Sequence, residues 1–234
     1  MKLRVLWTTL LTCSLALAQQ AVDVADDLHY HLLLQNDQVR ISEVTLHSGE
    51  SSFVRFQHSF VTVTLQDGEI VMWDEGKSPI QHFLLKKGQA SFVWLTRDQQ
   101  AKGVAGGLLN DRQYDYRNIT VEFLNPDIGW NILSNATIGP PASMFLGGAI
   151  VDNVSLQPGD SFPAPQKRGA QVVIPVGDLN LNGAHELRLR TSPGDAAWIP
   201  AADTSSLTNL GREPAQFIVV QFHPDTPLAP YVAP

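Results

Sequence analysis

The fold of this chain is decided by a stretch that occurs twice. Val44 to Gly68 reads VTLHSGESSFVRFQHSFVTVTLQDG, and Val154 to Asp178 reads VSLQPGDSFPAPQKRGAQVVIPVGD. Each copy has a short alternating strand, a turn with Gly before an acidic residue, a polar middle, and a β-branched run ending in a Gly/Asp turn. Alternation is typical of half-buried strands, and Gly/Asp pairs favour hairpin turns. The repeat predicts two copies of one β-rich unit.

The remaining sequence favours an all-β chain. No stretch after the N-terminus has a sustained 3.6-residue apolar period, so we expect helices to be few and short. Many short strands separated by turn signals are typical of a jelly-roll barrel. We predict one barrel over 29–126, a connection over 127–148, a second barrel over 149–224 and a proline-rich tail over 225–234, with the two barrels packed face to face. The glycine-rich segment Lys102 to Arg112 (KGVAGGLLNDR) is predicted to be a loop.

The N-terminus has the pattern of a secretory signal peptide. Lys2 and Arg4 precede an apolar run that ends at Ala16-Leu17-Ala18. We predict cleavage after Ala18, a lead-in over 19–28, and a secreted or periplasmic protein. A lipoprotein anchor at Cys13 is the competing interpretation, but Thr12 is a poor residue before such a cysteine.

Composition excludes several classes of function. Cys13 is the only cysteine, so the mature chain would hold no disulfide, thiolate metal site or cysteine nucleophile. The chain has 16 basic and 23 acidic residues, and nucleic acid is therefore not an expected partner. No apolar stretch reaches the roughly 20 residues of a membrane span. The sequence is compatible with a monomer or a homodimer.

The glycines and strands of both copies resemble the cupin superfamily. Its motifs are usually written G-x5-H-x-H-x(3,4)-E-x6-G and G-x5-P-x-G-x2-H-x3-N. Gly194 to Pro200 fits the opening of the second motif, and Asn209 stands at its closing Asn. In the first copy Gly49 opens the first motif and Gly88 opens a second one. The resemblance covers nearly all of the mature chain and implies two tandem cupin barrels, a bicupin.

In that family, two histidines, a glutamate and a later histidine usually bind a divalent metal. Here none of the eight corresponding places holds such a ligand. The places in the first unit are Arg55, Gln57, Val61 or Thr62, and Gln99; those in the second are Pro165, Lys167, Gln171 or Val172, and Ser205. A cationic Arg or Lys repels a metal ion. The comparison implies loss of the metal site from both barrels, and no cofactor is expected.

Three histidines keep a metal site open as an alternative. His58 lies one residue after the expected second histidine, and such a shift moves a strand side chain to the other face of the sheet. His29 and His31 are two residues apart, so they share a face of the first predicted strand, without a clear third ligand. The remaining histidines are expected to be structural.

We expect the first barrel to bind a small polar or anionic ligand, such as a sugar acid or another carboxylate, through Arg55, Gln57, Thr62 and Gln99. Lys167, Gln171 and Ser205 form a weaker candidate set in the second barrel. The alternatives are a metal-dependent cupin enzyme of the dioxygenase or isomerase type, and a structural protein that contacts a partner through its surface loops. No catalytic residue is assigned, because neither a Ser-His-Asp set nor paired carboxylates can be identified.

Overall fold

The fold is described from a computed structural model of the chain. It describes residues 20–77, 81–126, 128, 136–139, 142–164, 169–183, 188–203 and 206–223. The predicted signal peptide over 1–18 and the predicted tail over 225–234 lie outside these residues. As expected, the described chain is built almost entirely from strands, which we number in chain order.

The first part of the chain forms two sheets. Sheet 1 has five strands in the order β1 (Val22–Asp23), β4 (Ser51–Phe56), β9 (Val104–Leu109), β6 (Gly68–Asp74) and β7 (Gln81–Leu85). Sheet 2 has six strands in the order β11 (Ala136–Ile138), β8 (Ala90–Val93), β5 (Phe60–Thr64), β10 (Tyr116–Phe123), β3 (Val39–Leu46) and β2 (Tyr30–Gln35). We call these two sheets the first unit.

The second part forms another two sheets. Sheet 3 has the order β12 (Ala142–Leu146), β13 (Ala149–Leu156), β20 (Ala215–Phe222), β15 (Gln171–Pro175) and β18 (Ala197–Ile199). Sheet 4 has the order β14 (Ser161–Phe162), β19 (Leu207–Asn209), β16 (Leu179–Asn182) and β17 (Arg188–Thr191). We call sheets 3 and 4 the second unit. The central strands of the two units occupy matching places, as the repeat predicts.

Sheets 2 and 3 face each other across the largest apolar cluster formed by the described residues. This cluster takes alternate residues of β5 and β10, such as Val61, Val63 and Val121, together with Val172 and Ile218 from sheet 3. Burying apolar surface stabilises a fold by roughly 25 cal/mol per Å². The contact between the units is therefore the principal hydrophobic core, and a second cluster lies between sheets 3 and 4.

Strand β10 shows how this arrangement places apolar and polar side chains on opposite faces of a sheet. Successive residues of a strand point to opposite faces. Ile119 and Val121 point toward the second unit and are fully buried in the shared core. Asn118 and Thr120 point the other way, into the space between sheets 1 and 2. The polar face of the strand is thus an interior surface of the first unit and not a solvent-facing one.

Polar contacts also cross between the units. The Arg117 Nε donates to Glu43 Oε1 at 2.9 Å, and Arg117 Nη2 reaches the Pro193 carbonyl oxygen at 3.5 Å. The Asn153 Nδ2 donates to the Gly88 carbonyl oxygen at 2.5 Å, and Asn153 is 3% exposed. The bonds to Pro193 and Gly88 therefore add polar contacts to an interface that is otherwise mainly apolar.

The segment predicted as a loop over Lys102 to Arg112 instead contains the whole of strand β9. Its glycines do not mark a turn: a Cβ on Gly107 would lie 2.0 Å from Trp73 Cε2, because the Trp73 ring lies directly over this glycine. Glycine within a strand often marks such a close approach. The one α-helix of the described residues, α1 (Arg97–Lys102), directly precedes this strand.

Two further stretches are more ordered than the sequence suggested. Within 19–28, strand β1 pairs in parallel with β4, and Val24 is only 2% exposed. Within 127–148, strand β11 pairs with β8 of the first unit and β12 pairs with β13 of the second. The predicted connection therefore contributes an edge strand to each unit. Within the described ranges, no helix has the length and apolar character needed to cross a bilayer.

Candidate ligand-binding cavity

A cavity of about 510 Å³ lies inside the first unit, between sheets 1 and 2. This volume falls within the range of small-molecule sites. Residues from both sheets line it, including β5, β8 and β10 on one side and β4, β6 and β9 on the other. The cavity is therefore the interior of the barrel-like unit.

One wall of the cavity is formed by a row of hydroxyl groups. The pairing register places residues from five neighbouring strands of sheet 2 side by side in this order: Thr137, Ser91, Thr62, Thr120 and Ser42. All but Ser42 line the cavity. The Ser91 and Thr137 hydroxyl oxygens are 3.0 Å apart and share a hydrogen bond. The adjacent row pairs Asn118 with Thr64, and both residues also line the cavity.

A short hydrogen-bond chain runs along β10 in this wall. The Thr120 hydroxyl donates to Asn118 Oδ1 at 3.0 Å, and Asn118 Nδ2 donates to the Tyr116 hydroxyl oxygen at 2.7 Å. All three residues are at least nine-tenths buried. Burial raises the pKa of Tyr116 to about 12, although the hydrogen bond from Asn118 opposes the shift. The phenol therefore stays protonated and neutral at any physiological pH.

A second tyrosine lines the cavity nearby. Burial raises the pKa of Tyr30 well above its usual value, and the neighbouring Tyr116 and Asp27 raise it further. The Tyr30 ring packs edge-on against Phe56, with ring centroids 6.1 Å apart. Both tyrosines therefore present uncharged groups.

The opposite wall is apolar. It includes Val54 and Phe56 of β4, Met72 of β6, and Val104 and Leu108 of β9. These side chains come from alternate positions of sheet 1, and Phe56 stacks on the Phe60 ring with centroids 4.1 Å apart. The cavity thus has a polar face and an apolar face, opposite each other.

Exposed residues mark the mouth of the cavity. Leu84 is 76% exposed and Phe83 is 38% exposed, and both contribute to the lining. Asp74 and Lys77 also belong to the lining and form an ion pair at 2.6 Å with both side chains largely in solvent. These two are the only charged residues among the described lining, and they neutralise each other.

Only one of the four residues predicted to bind ligand in the first unit lies in the cavity, and it is Thr62. Arg55 alternates with Val54 and Phe56, so its side chain points to the outer face of sheet 1 and pairs with Glu75 at 3.2 Å. The structure therefore does not bring together the predicted set, and the cavity lacks the cation that Arg55 was expected to supply.

The other two residues lie elsewhere for local reasons. Gln57 is exposed and follows the end of β4. Gln99 forms a capping box at the start of α1: its Oε1 accepts from the Thr96 amide at 2.9 Å, and the Thr96 hydroxyl oxygen accepts from the Gln99 amide at 3.2 Å. Its side chain therefore stabilises a helix end.

In the second unit, Gln171 is fully buried on the same face of β15 as Val173, which faces sheet 4. Its Nε2 donates to Gln221 Oε1 at 3.4 Å, while its own Oε1 has no partner among the described atoms. Lys167 and Ser205, the other two predicted residues, lie outside the described residues, and so does Pro165. The described interior of this unit is mainly a packed apolar cluster.

The described residues do not provide a site that fits the metal of the cupin family. They contain no group of three or more His, Cys, Asp or Glu side chains close enough to share an ion. His29 bonds to Asp27 at 2.7 Å and His31 is exposed on β2. Burial lowers the pKa of His58, whose Nδ1 has no partner among the described atoms. We therefore derive no chemistry through a metal.

Most residues of the cavity wall were not predicted from the sequence. Tyr116, Asn118 and Thr120 belong to a clean alternation, YRNITVEF, over Tyr116 to Phe123. Such alternation is typical of a half-buried strand, with one face in the core and one in solvent. Because β10 is a central strand with neighbours on both sides and sheets on both faces, its polar residues must be interior. Predicting that these polar residues are interior requires knowing that β10 pairs with both β3 and β5.

Comparisons with known proteins bear on the fold. No protein-family profile matches the chain, and no curated protein matches it by sequence. Among solved structures, AerE from Microcystis aeruginosa is similar with a TM-score of 0.63 and 10% identity, over 84% of this chain and 93% of that one. A cupin 2 conserved barrel domain protein from Leptotrichia buccalis has a TM-score of 0.53 and 10% identity, over 82% and 88%.

A third similar structure is the bacterial pirin YhhW from Escherichia coli, solved in complex with nickel(II). Its TM-score is 0.56 at 10% identity, over 84% of this chain and 91% of that one. Identities this low establish a shared architecture, while function depends on the residues of the site. The nickel of the pirin structure belongs to that protein, and its presence there does not assign a metal to this chain.

Proposed function

We propose that the first unit of this chain, which has the cupin fold, binds one uncharged small molecule in the cavity between sheets 1 and 2. The observation that carries the proposal is the hydroxyl row of Thr137, Ser91, Thr62 and Thr120 facing an apolar wall across about 510 Å³. Small-molecule sites typically combine apolar walls with a few placed polar groups. The ligand would have a carbon framework and hydrogen-bonding groups on one side.

Charge argues for an uncharged ligand in place of the carboxylate expected from sequence. Moving an ion from water into an apolar site is costly unless an opposite charge compensates it. Arg55 points away from the cavity, and the Lys77 charge at the mouth is paired with Asp74. The tyrosines of the wall are neutral as well. An anion would therefore enter the cavity without a counter-charge.

Binding without metal chemistry is part of the proposal. The places that hold metal ligands in the cupin family carry Arg55, Gln57, Val61 or Thr62, and Gln99 in this unit. Guanidinium and aliphatic groups cannot coordinate a divalent ion. The N-terminal sequence adds the proposal that the protein acts after export. Its partner would be the small molecule alone, with no nucleic acid, in a monomer or homodimer.

A thermal-shift screen tests binding. Wild type and a Thr62→Phe variant are screened against a library of neutral compounds that each carry oxygen groups and an apolar ring or chain. Since Thr62 lies in the middle of the hydroxyl row, a phenyl group there removes its hydroxyl and occupies the space in front of the row. We expect hits that raise the Tm of wild type and leave that of Thr62→Phe unchanged.

Thr208→Phe is the matched control, because Thr208 lies on β19 of the second unit and bonds to Ser161 at 2.7 Å, away from the cavity. This variant should respond to the same hits as wild type. Hits that stabilise Thr62→Phe as much as wild type would place binding elsewhere, and a screen with carboxylate hits only would contradict an uncharged ligand.

A further inference from the structure

The hydrogen bonds along β10 all point the same way, from Thr120 through Asn118 to Tyr116, and this leaves the Tyr116 O–H without an acceptor among the described atoms. The Thr120 hydroxyl donates its proton to Asn118 Oδ1, and Asn118 Nδ2 donates to the Tyr116 hydroxyl oxygen. A tyrosine hydroxyl has one donor and also accepts. Tyr116 uses its oxygen as the acceptor here, so its own O–H remains available, and no described atom accepts it.

Because Tyr116 is buried, leaving its O–H without an acceptor costs free energy. Tyr116 is 7% exposed and lines the cavity. An unsatisfied buried donor costs about 1–3 kcal/mol, so a ligand that supplies an acceptor gains from pairing it. Successive hydrogen bonds that point the same way polarise one another, which makes the terminal O–H a better donor.

From this geometry, and resting on the proposed function, we infer the chemical class of the ligand: a carbonyl compound whose oxygen accepts the Tyr116 O–H. The carbon skeleton of the ligand would lie against the apolar wall of Met72 and Leu108. A carbonyl oxygen is a stronger neutral acceptor than an ether or an alcohol oxygen. The raised pKa of the phenol agrees with this role, because the proton stays on Tyr116 and is shared with the ligand without transfer.

Two nearly isosteric probes isolate this hydrogen bond. Acetophenone carries a ketone oxygen where α-methylstyrene carries a methylene group, so the two differ mainly in the acceptor. Their affinities are measured by isothermal titration or by ligand-observed NMR for wild type and for Tyr116→Phe. For each protein, the affinity for acetophenone is divided by the affinity for α-methylstyrene. Dividing the wild-type ratio by the Tyr116→Phe ratio then removes the effect of the difference in hydrophobicity between the two probes. We expect this quotient to be about tenfold.

The matched control is Tyr114→Phe. Tyr114 is 46% exposed, and its ring lies next to Gly68 outside the cavity lining. This variant loses the same atom, and its affinity ratio should equal that of wild type. The carbonyl stretching band gives an independent reading: bound acetophenone should absorb at lower wavenumber in wild type than in Tyr116→Phe.

Thr120→Val tests the direction of the chain. Turning the Asn118 amide by 180° would make Tyr116 the donor to Asn118 and leave the free O–H on Thr120. We expect Thr120→Val to keep most of the ketone preference. If Thr120→Val abolishes that preference and Tyr116→Phe does not, the assignment to Tyr116 is overturned.

The two proposals fail in different ways. If both probes, or other neutral hits, bind the wild-type cavity and lose affinity in Thr62→Phe, but the ketone-to-alkene ratio is independent of Tyr116, then only the carbonyl inference fails. If no neutral compound binds wild type, or Thr62→Phe binds as wild type does, the proposed function fails and the inference fails with it.

Discussion

At the residue scale, an important polar contact of the first unit involves side chains that correspond to no position of the cupin motifs. Glu122 continues the luminal face of β10 beyond Asn118 and Thr120, and its side chain is only 2% exposed. Arg40 on the neighbouring strand pairs with it through two hydrogen bonds, at 2.5 and 2.8 Å. Two-point pairing of a guanidinium with a carboxylate is among the stronger polar contacts in proteins. The pair therefore compensates a carboxylate that is otherwise almost fully buried.

Arg40→Met should destabilise the protein by ~3 kcal/mol, because it leaves the Glu122 carboxylate buried without its partner. Urea unfolding at pH 7 measures the loss. Adding Glu122→Leu to this variant should restore most of the stability, since the uncompensated charge is then removed. Lys77→Ala breaks a pair that is about 70% exposed on both sides and should change stability by at most ~0.5 kcal/mol. An equal loss for Arg40→Met and Lys77→Ala would contradict the buried pair.

His58 should make the fold sensitive to mild acid. Burial lowers its pKa, and the positive charge of Arg40 lowers it further, while Glu122 and Asp23 act in the opposite direction. Well above the unfolded-state pKa of about 6.5 the ring is neutral in both states and contributes no pH dependence. Below that value the unfolded chain takes up a proton that the folded chain resists, so stability falls as the pH decreases.

A His58→Gln variant tests this sign. Its unfolding free energy should fall less steeply than that of wild type between pH 6.5 and 5, and the two should run parallel above pH 7. Parallel curves over the whole range would show that His58 does not titrate differently on folding.

At the element scale, strand β9 shows how a glycine-rich sequence can be a strand. The Trp73 ring lies over Gly107, and it is nearly parallel to the Phe53 ring, with centroids 6.1 Å apart. A Gly107→Ala variant places a methyl group 2.0 Å from the indole, so Trp73 must move. We expect a loss of ~2 kcal/mol, in the range of overpacking substitutions, and a change in tryptophan emission.

Gly177→Ala is the control for this prediction, because nothing lies within 4 Å of a Cβ there. It should be close to neutral in stability and in emission. If Gly107→Ala behaves like Gly177→Ala, the indole does not rest on the glycine.

The same strand marks a limit of sequence prediction. The β-branched alternation over Phe60 to Leu65 and the turn residues Asp67-Gly68 act locally, so strand β5 and the start of β6 could be predicted. The two strands do not form the hairpin that such a turn favours, because β5 lies in sheet 2 and β6 in sheet 1. Strand β9 could not be, because its glycines are required by Trp73, a residue more than thirty positions away. The position of Asn118 in the cavity wall could not be predicted for a related reason. Which face of a strand is interior depends on strands and sheets that are distant in sequence.

At the scale of the whole molecule, the two units share their largest core. Val61 and Val121 of the first unit belong to the same apolar cluster as Val172 and Ile218 of the second. Phe123 and Phe222 meet edge-on across the interface, with centroids 6.1 Å apart. The repeat in sequence predicted two units and their face-to-face packing. It did not predict that, among the residues that the structure describes, the interface would hold more buried apolar side chains than either interior.

The full chain should therefore unfold in a single cooperative transition. Calorimetry should give one endotherm with equal van't Hoff and calorimetric enthalpies. A fragment ending at residue 139 would expose the apolar face of sheet 2 and should aggregate or remain unfolded. Two separate transitions, or a stable and soluble fragment, would show that the units are independent domains.

The central claim is that a ligand occupies the space between sheets 1 and 2, and alternation within single strands supplies an internal control for it. In wild-type protein with isotope-labelled threonine and valine methyl groups and bound acetophenone, intermolecular NOEs should appear at Thr62 and Thr120. They should be absent at Val61 and Val121, which lie one position further along the same strands but face the second unit. NOEs at the valines and not at the threonines, or no NOEs to any of these methyl groups with acetophenone bound, would contradict binding in this cavity.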